Sequence, residues 1–114
     1  MLRTNLKHIE TVEEFKNLIE SGKKTVVVCG RMGPMCIPVY DVMESFESKY
    51  PDINFRDMEF DSNVAIQTIR SLPEVRNFAG LPFTVYFRDS KVAAATSSIQ
   101  NKQQVKEILD TKLV

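Results

Sequence analysis

Apolar and polar positions along this chain follow two periods. Val12, Phe15, Leu18 and Ile19 recur at the three- and four-residue spacing of one helix face. Thr11 and Glu14 stand ahead of them as a capping box, the hydroxyl accepting the Glu14 N–H and the carboxylate reaching back. Ser21-Gly22 ends that helix. Thr25-Val26-Val27-Val28-Cys29 is a continuous apolar, β-branched run, the pattern of a strand covered on both faces. After the loop Gly30-Arg31-Met32-Gly33-Pro34, the helical period returns at Val39, Val42, Met43 and Phe46. Pro34 suits the first helical position, and Pro38 then falls inside the helix and kinks it.

The second half repeats the alternation with shorter elements. Tyr50-Pro51-Asp52 is a turn, and Ile53, Phe55, Met58 and Phe60 predict a strand with an irregular middle. Asn63 caps a helix running to about Ser71, with Val64, Ile66 and Ile69 apolar, and Pro73 breaks it. Gly80-Leu81-Pro82 is a turn before the strand Phe83-Thr84-Val85-Tyr86-Phe87. Arg88-Asp89-Ser90-Lys91 connects it tightly to Val92-Ala93-Ala94-Ala95-Thr96, an antiparallel hairpin. Asn101 and Gln104 cap a last helix with the stripe Val105, Ile108 and Leu109. With a short strand at residues 5–9, the order is β-α-β-α-β-α-β-β-α. That order implies an α/β fold, a mixed sheet with helices on both faces.

Composition narrows the possibilities. The 114 residues suit one domain, spanning 1–114. Fifteen Lys+Arg balance fifteen Asp+Glu, so no broad basic face is expected for nucleic acid. No apolar window approaches a membrane span, the N-terminal residues carry no secretory pattern, and the expected location is cytoplasmic. Two cysteines supply neither a disulfide framework nor a zinc site, and no metal or other cofactor is expected. Gly30 and Gly33 are too few to cradle a phosphate. The single His8 reads as a surface residue of the first strand, and Asp57, Glu59 and Asp61 alternate as on a solvated strand face.

The run from Val26 to Met35 resembles the strand, loop and helix of thioredoxins, which carry Cys-Gly-Pro-Cys there. Gly80-Leu81-Pro82 and the hairpin after it resemble that family's cis-proline loop, and residues 104–109 its last helix. The resemblance covers nearly the whole chain and implies the thioredoxin fold. It fails where the chemistry sits. In the ungapped register Met32-Gly33-Pro34-Met35 fills the motif; shifted by one residue, Cys36 takes the second cysteine's place and Gly33 the first. Arg31 stands where the family has tryptophan, and Val26 where it has a buried carboxylate. The segment 62–78 also looks longer than in a minimal thioredoxin.

Two readings follow. In the first, Cys36 near a helix N-terminus, where unpaired N–H groups favour a thiolate, acts as a monothiol or together with Cys29. Its partners are disulfide-bearing or glutathionylated proteins, or glutathione. Cys29, at the end of a buried strand, reads first as a small core residue, and a Cys29–Cys36 disulfide needs Cα atoms within about 7 Å. In the second reading the scaffold binds without redox chemistry. Met32, Gly33, Pro34, Met35, Leu81 and Pro82 then form a groove for an extended protein or peptide partner, Leu81 offering backbone groups by strand-type pairing, as the resemblance implies. With no second thiol at the usual spacing to release a mixed disulfide, protein-disulfide reduction is expected weak or absent.

Overall fold

The computed structural model describes residues 2–113, so the two ends of the predicted domain, Met1 and Val114, lie outside the described residues. Five strands form one sheet in the order β1-β3-β2-β4-β5. They are β1 (Lys7–His8), β2 (Thr25–Gly30), β3 (Asn54–Glu59), β4 (Phe83–Arg88) and β5 (Lys91–Ser97). β1, β3 and β2 run parallel, and β4 and β5 are antiparallel. The helices are α1 (Val12–Glu20), α2 (Ile37–Glu47), α3 (Asn63–Gln67) and α4 (Lys102–Lys112). No described helix is long and apolar enough to cross a membrane.

β2 is buried along its whole length, as its apolar run requires. Side-chain alternation sorts it between two core layers. Val26 and Val28 pack with Tyr40, Met43 and Phe46 of α2 and Val105 and Leu109 of α4. Val27 and Cys29 pack on the other face with Phe15 of α1, Ala65 of α3 and Ile69. Phe15 meets Phe87 of β4 edge to face, the ring centroids 5.8 Å apart.

Local chemistry sets the element ends. Thr11 Oγ1 accepts the Glu14 N–H at 3.0 Å, but the Glu14 carboxylate takes the N–H of Glu10, one residue beyond the cap, at 3.1 Å. Asn101 and Gln104 close the full reciprocal box of α4, both bonds 2.9 Å. Asp89 and Ser90 turn the hairpin with φ of 53° and 66°.

Several expectations need correction. Pro34 does not open α2: the Cys36 and Ile37 N–H groups both donate to the Gly33 carbonyl, at 3.1 and 3.0 Å, so a turn precedes the helix. Cys36 is then the cap residue and Pro38 falls in the first turn, where a missing N–H costs nothing, so it gives no reason for a kink. The third helix is capped by Ser62, which accepts from Ala65 N, and it ends after five residues. At Thr68 the hydroxyl donates to the Val64 carbonyl at 2.5 Å, and the chain continues as two 3₁₀ turns, Ile69–Ser71 and Pro73–Val75. Finally, β3 is regular through Glu59, and only two residues of the first strand pair.

Candidate functional site

Parallel strands β2 and β3 end side by side, and α2 starts just beyond β2; in such sheets the carboxyl ends of the strands are where sites form. Gly30, the last residue of β2, is the pivot. A methyl group there would lie 2.7 Å from Tyr40 Oη, 2.9 Å from Cys36 Sγ and 3.0 Å from Pro82 Cβ. A bare Cα therefore lets the start of α2 and the proline loop close against the strand end. Tyr40 Oη donates to the Arg31 carbonyl at 3.0 Å, and Cys36 Sγ lies 3.4 Å from the Arg31 N–H. The Leu81–Pro82 peptide bond is cis.

The two sulfurs are not joined. Cys29 and Cys36 are both free thiols. Cys29 points into the layer under α1 and α3, whereas Cys36 packs in the layer under α2 and α4, so the sheet backbone stands between them. Burial pushes the Cys29 thiol far above its ordinary range, the nearby Arg70 charge offsetting only part of this. Cys36 is itself only 4% exposed.

The methionine loop, by contrast, faces outward. Met32 and Met35 are 40% and 47% exposed, Pro34 is exposed, and Ile37 extends the apolar surface. Met32 Sδ takes the Arg3 N–H at 3.2 Å. Nothing lies within 4 Å of where a Gly33 side chain would start. Pro82 is buried and accepts the Ser98 N–H at its carbonyl, at 2.8 Å. Among the described residues the backbone N–H and carbonyl of Leu81 make no hydrogen bond, which leaves both available to a partner strand.

Two features escape the sequence reading. Beside Leu81 lies a groove of about 400 Å³ lined by Arg31, Phe60, Arg70, Arg76 and Phe78. Nothing in their spacing marks these residues as neighbours; the two 3₁₀ turns bring them together. On the α2 side of the sheet, Asp57 is completely buried rather than solvated. It accepts from Thr4 Oγ1 and pairs with His8 Nδ1, both at 2.5 Å, so His8 is the cover of a buried carboxylate and not a free surface residue. Burial raises the Asp57 carboxyl, the Thr4 and His8 bonds pulling the other way. Its position could have been found: β3 lies between β1 and β2, so its alternate residues face a core layer. No cluster of three ligating side chains occurs among the described residues.

No family model and no curated protein matches this chain. Solved structures do. Thioredoxin O2 from Arabidopsis thaliana, in its oxidized state, superposes with a TM-score of 0.74 at 15% identity, over 96% of this chain and 95% of that one. Mitochondrial thioredoxin 3 from Saccharomyces cerevisiae gives 0.71 at 20% identity, over 92% and 94%. A thioredoxin from Plasmodium falciparum gives 0.72 at 16% identity, over 92% and 97%. The element order, the mixed five-stranded sheet and these superpositions agree: the chain has the thioredoxin fold.

Proposed function

We propose that this chain is a thioredoxin-fold binding module that receives an extended peptide segment beside cis-Pro82 and performs no dithiol exchange. The observation that carries the reading is the free backbone pair of Leu81, set between an outward-facing apolar loop and a groove. An extended segment pairs with that N–H and carbonyl as an added strand, and Met32, Met35 and Ile37 offer a soft apolar surface to its side chains. Dithiol exchange needs an attacking thiolate and a second thiol to release the mixed disulfide. Here one thiol is sealed in the opposite core layer. A library of random decapeptides displayed on phage tests the reading. Selected peptides are expected to shift the backbone amide resonance of Leu81; a library that yields no binder, or binders that leave Leu81 unmoved, overturns it.

A second reading, a thiol-dependent role at Cys36, is supported by the fold, which is that of redox proteins, and by the place of the sulfur. Cys36 caps an 11-residue helix, with its Sγ against the Arg31 N–H. In that reaction the Cys36 thiolate attacks a glutathionylated cysteine and releases the partner's thiolate. A glutathione thiolate then attacks the Cys36–glutathione disulfide, freeing Cys36 and leaving oxidised glutathione. Turnover of a glutathionylated protein that disappears in Cys36→Ser and persists in Cys29→Ser would establish it; equal background rates in all three proteins would exclude it.

A further inference from the structure

The groove beside Leu81 carries charge that the neutral composition conceals. Its wall contains three arginines and no Asp or Glu. Arg31 is already paired, its Nε and Nη2 donating to Asp61 at 2.7 and 2.8 Å. Arg70 is not. Its guanidinium lies 3.9 Å from the centroid of the Phe60 ring, and its Nη1 donates to the Phe60 carbonyl at 3.2 Å, so the fork is held in place by neutral groups. The Arg76 N–H donates to the Pro73 carbonyl at 3.3 Å, but its guanidinium makes no ion pair or hydrogen bond among the described residues. The aromatic side is equally fixed, Phe60 and Phe78 both packing on Phe83 at 6.1 and 6.3 Å between centroids. Arg70, held on the Phe60 ring, and Arg76 in the same wall make a seat for a carboxylate, which a guanidinium fork binds through two parallel hydrogen bonds.

We propose that the segment bound at Leu81 is acidic, and that one of its Asp or Glu side chains enters the groove between Arg70 and Arg76. The proposal rests on the peptide-binding reading above and adds the chemistry of the partner. The pair comes from the two 3₁₀ turns, whereas Leu81 sits on the proline loop that follows them. A strand added at Leu81 therefore runs along the rim of the groove, and its alternate side chains turn toward it.

The composition of the phage-selected peptides tests this. Selection on the wild-type chain is expected to enrich Asp and Glu. The best acidic peptide is expected to bind about tenfold or more tightly than its Asn/Gln counterpart, the usual worth of a charged hydrogen bond. Arg76→Gln and the double variant with Arg70→Gln are expected to erase that ratio, weakening the acidic peptide about tenfold or more and the Asn/Gln peptide much less. Arg70→Lys is expected to keep part of the preference, having the charge without the fork. The Arg76 side chain is exposed and unbonded, so its substitution leaves the fold intact, and circular dichroism checks this. Peptides that bind and shift Leu81 without acidic enrichment would overturn this inference and leave the binding reading standing. Failure to select any peptide would overturn both. Displacement of the acidic peptide by glutathione with equal effect on wild type and double variant would also count against it, placing the recognised charge elsewhere.

Discussion

Gly30→Ala is the sharpest test of the site's construction. The added methyl carbon would stand 2.7 Å from Tyr40 Oη, 2.9 Å from Cys36 Sγ and 3.0 Å from Pro82 Cβ. Ordinary carbon contacts lie near 3.5–4.0 Å, so three neighbours must retreat, each by roughly 0.5–1 Å. None retreats freely. Tyr40 is buried and tied to the Arg31 carbonyl, Cys36 is buried at the helix cap, and Pro82 is a buried ring. Overpacking of this kind costs about 1–3 kcal/mol. With a urea slope of about 1–3 kcal/mol per molar, the unfolding midpoint is expected to drop by about 1 M, read by far-ultraviolet circular dichroism. Gly33→Ala is the control, because nothing lies within 4 Å of that position, and it is expected to stay within about 0.5 kcal/mol of wild type. Tyr40→Phe removes the closest atom at the loss of one hydrogen bond, and in that background the Gly30→Ala penalty is expected to shrink by about 1 kcal/mol. Equal stabilities for the two alanine variants, or a penalty unchanged by Tyr40→Phe, would refute the claim that strand, helix and proline loop converge at Gly30.

Three further outcomes follow from other parts of the molecule. In native protein at neutral pH both thiols are expected to alkylate far more slowly than a free thiol, and to reach normal rates once unfolded, by mass spectrometry; a Cys36 that labels at the free rate would show that the site is open. Asn101→Ala removes the capping box of α4 and is expected to cost about 1 kcal/mol in the same urea assay. For Asp57, the folded chain holds the carboxyl proton more tightly than the unfolded chain does. Its contribution to stability is therefore full below the ordinary carboxylate value of 3.8 and is lost as pH rises through the higher folded value. Asp57→Asn is expected to remove that part of the pH dependence; identical slopes above pH 3.8 in the two proteins would contradict it.

The framework was legible because it rests on local rules. The all-apolar run of β2 could only be a strand covered on both sides, and Asn101 with Gln104 announced a helix that the structure begins at the next residue. The misreadings arose where two local rules competed. Pro34 and Pro38 both satisfy the first turn of a helix, and the choice fell to the Gly33 carbonyl, which gathers two N–H groups before the helix starts. At Thr68 the hydroxyl competes for the Val64 carbonyl, and the apolar period alone carried the predicted helix past that break. Strand alternation placed Asp57 correctly relative to its neighbours but assumed the wrong face was wet. The same parity already set Cys29 opposite Val28, and hence away from anything packed with α2. The Arg70–Arg76 groove had no signal in the chain, because two 3₁₀ turns must be known before those residues become neighbours.

Binding and exchange make different demands on this scaffold, and that difference explains how one can persist without the other. Exchange needs two sulfurs within reach of each other, and one misplaced sulfur ends it. Binding at Leu81 needs a backbone pair that the sheet leaves unused, a surface beside it, and charge within reach. The charge lies on turns that contribute Ile69 and Val75 to the core while their arginines stay outside it. Arg31, by contrast, is committed to Asp61, whose carboxyl it holds below the ordinary range. The positive seat can thus be altered without disturbing β2, β3 or Gly30. Exchanging Arg70 and Arg76 for glutamates should then invert the preference of the groove while the Gly30 contacts, and the stability they report, stay as they are. If those variants lost stability to the extent expected of Gly30→Ala, the turns would be part of the core architecture, and specificity and scaffold could not be separated in this way.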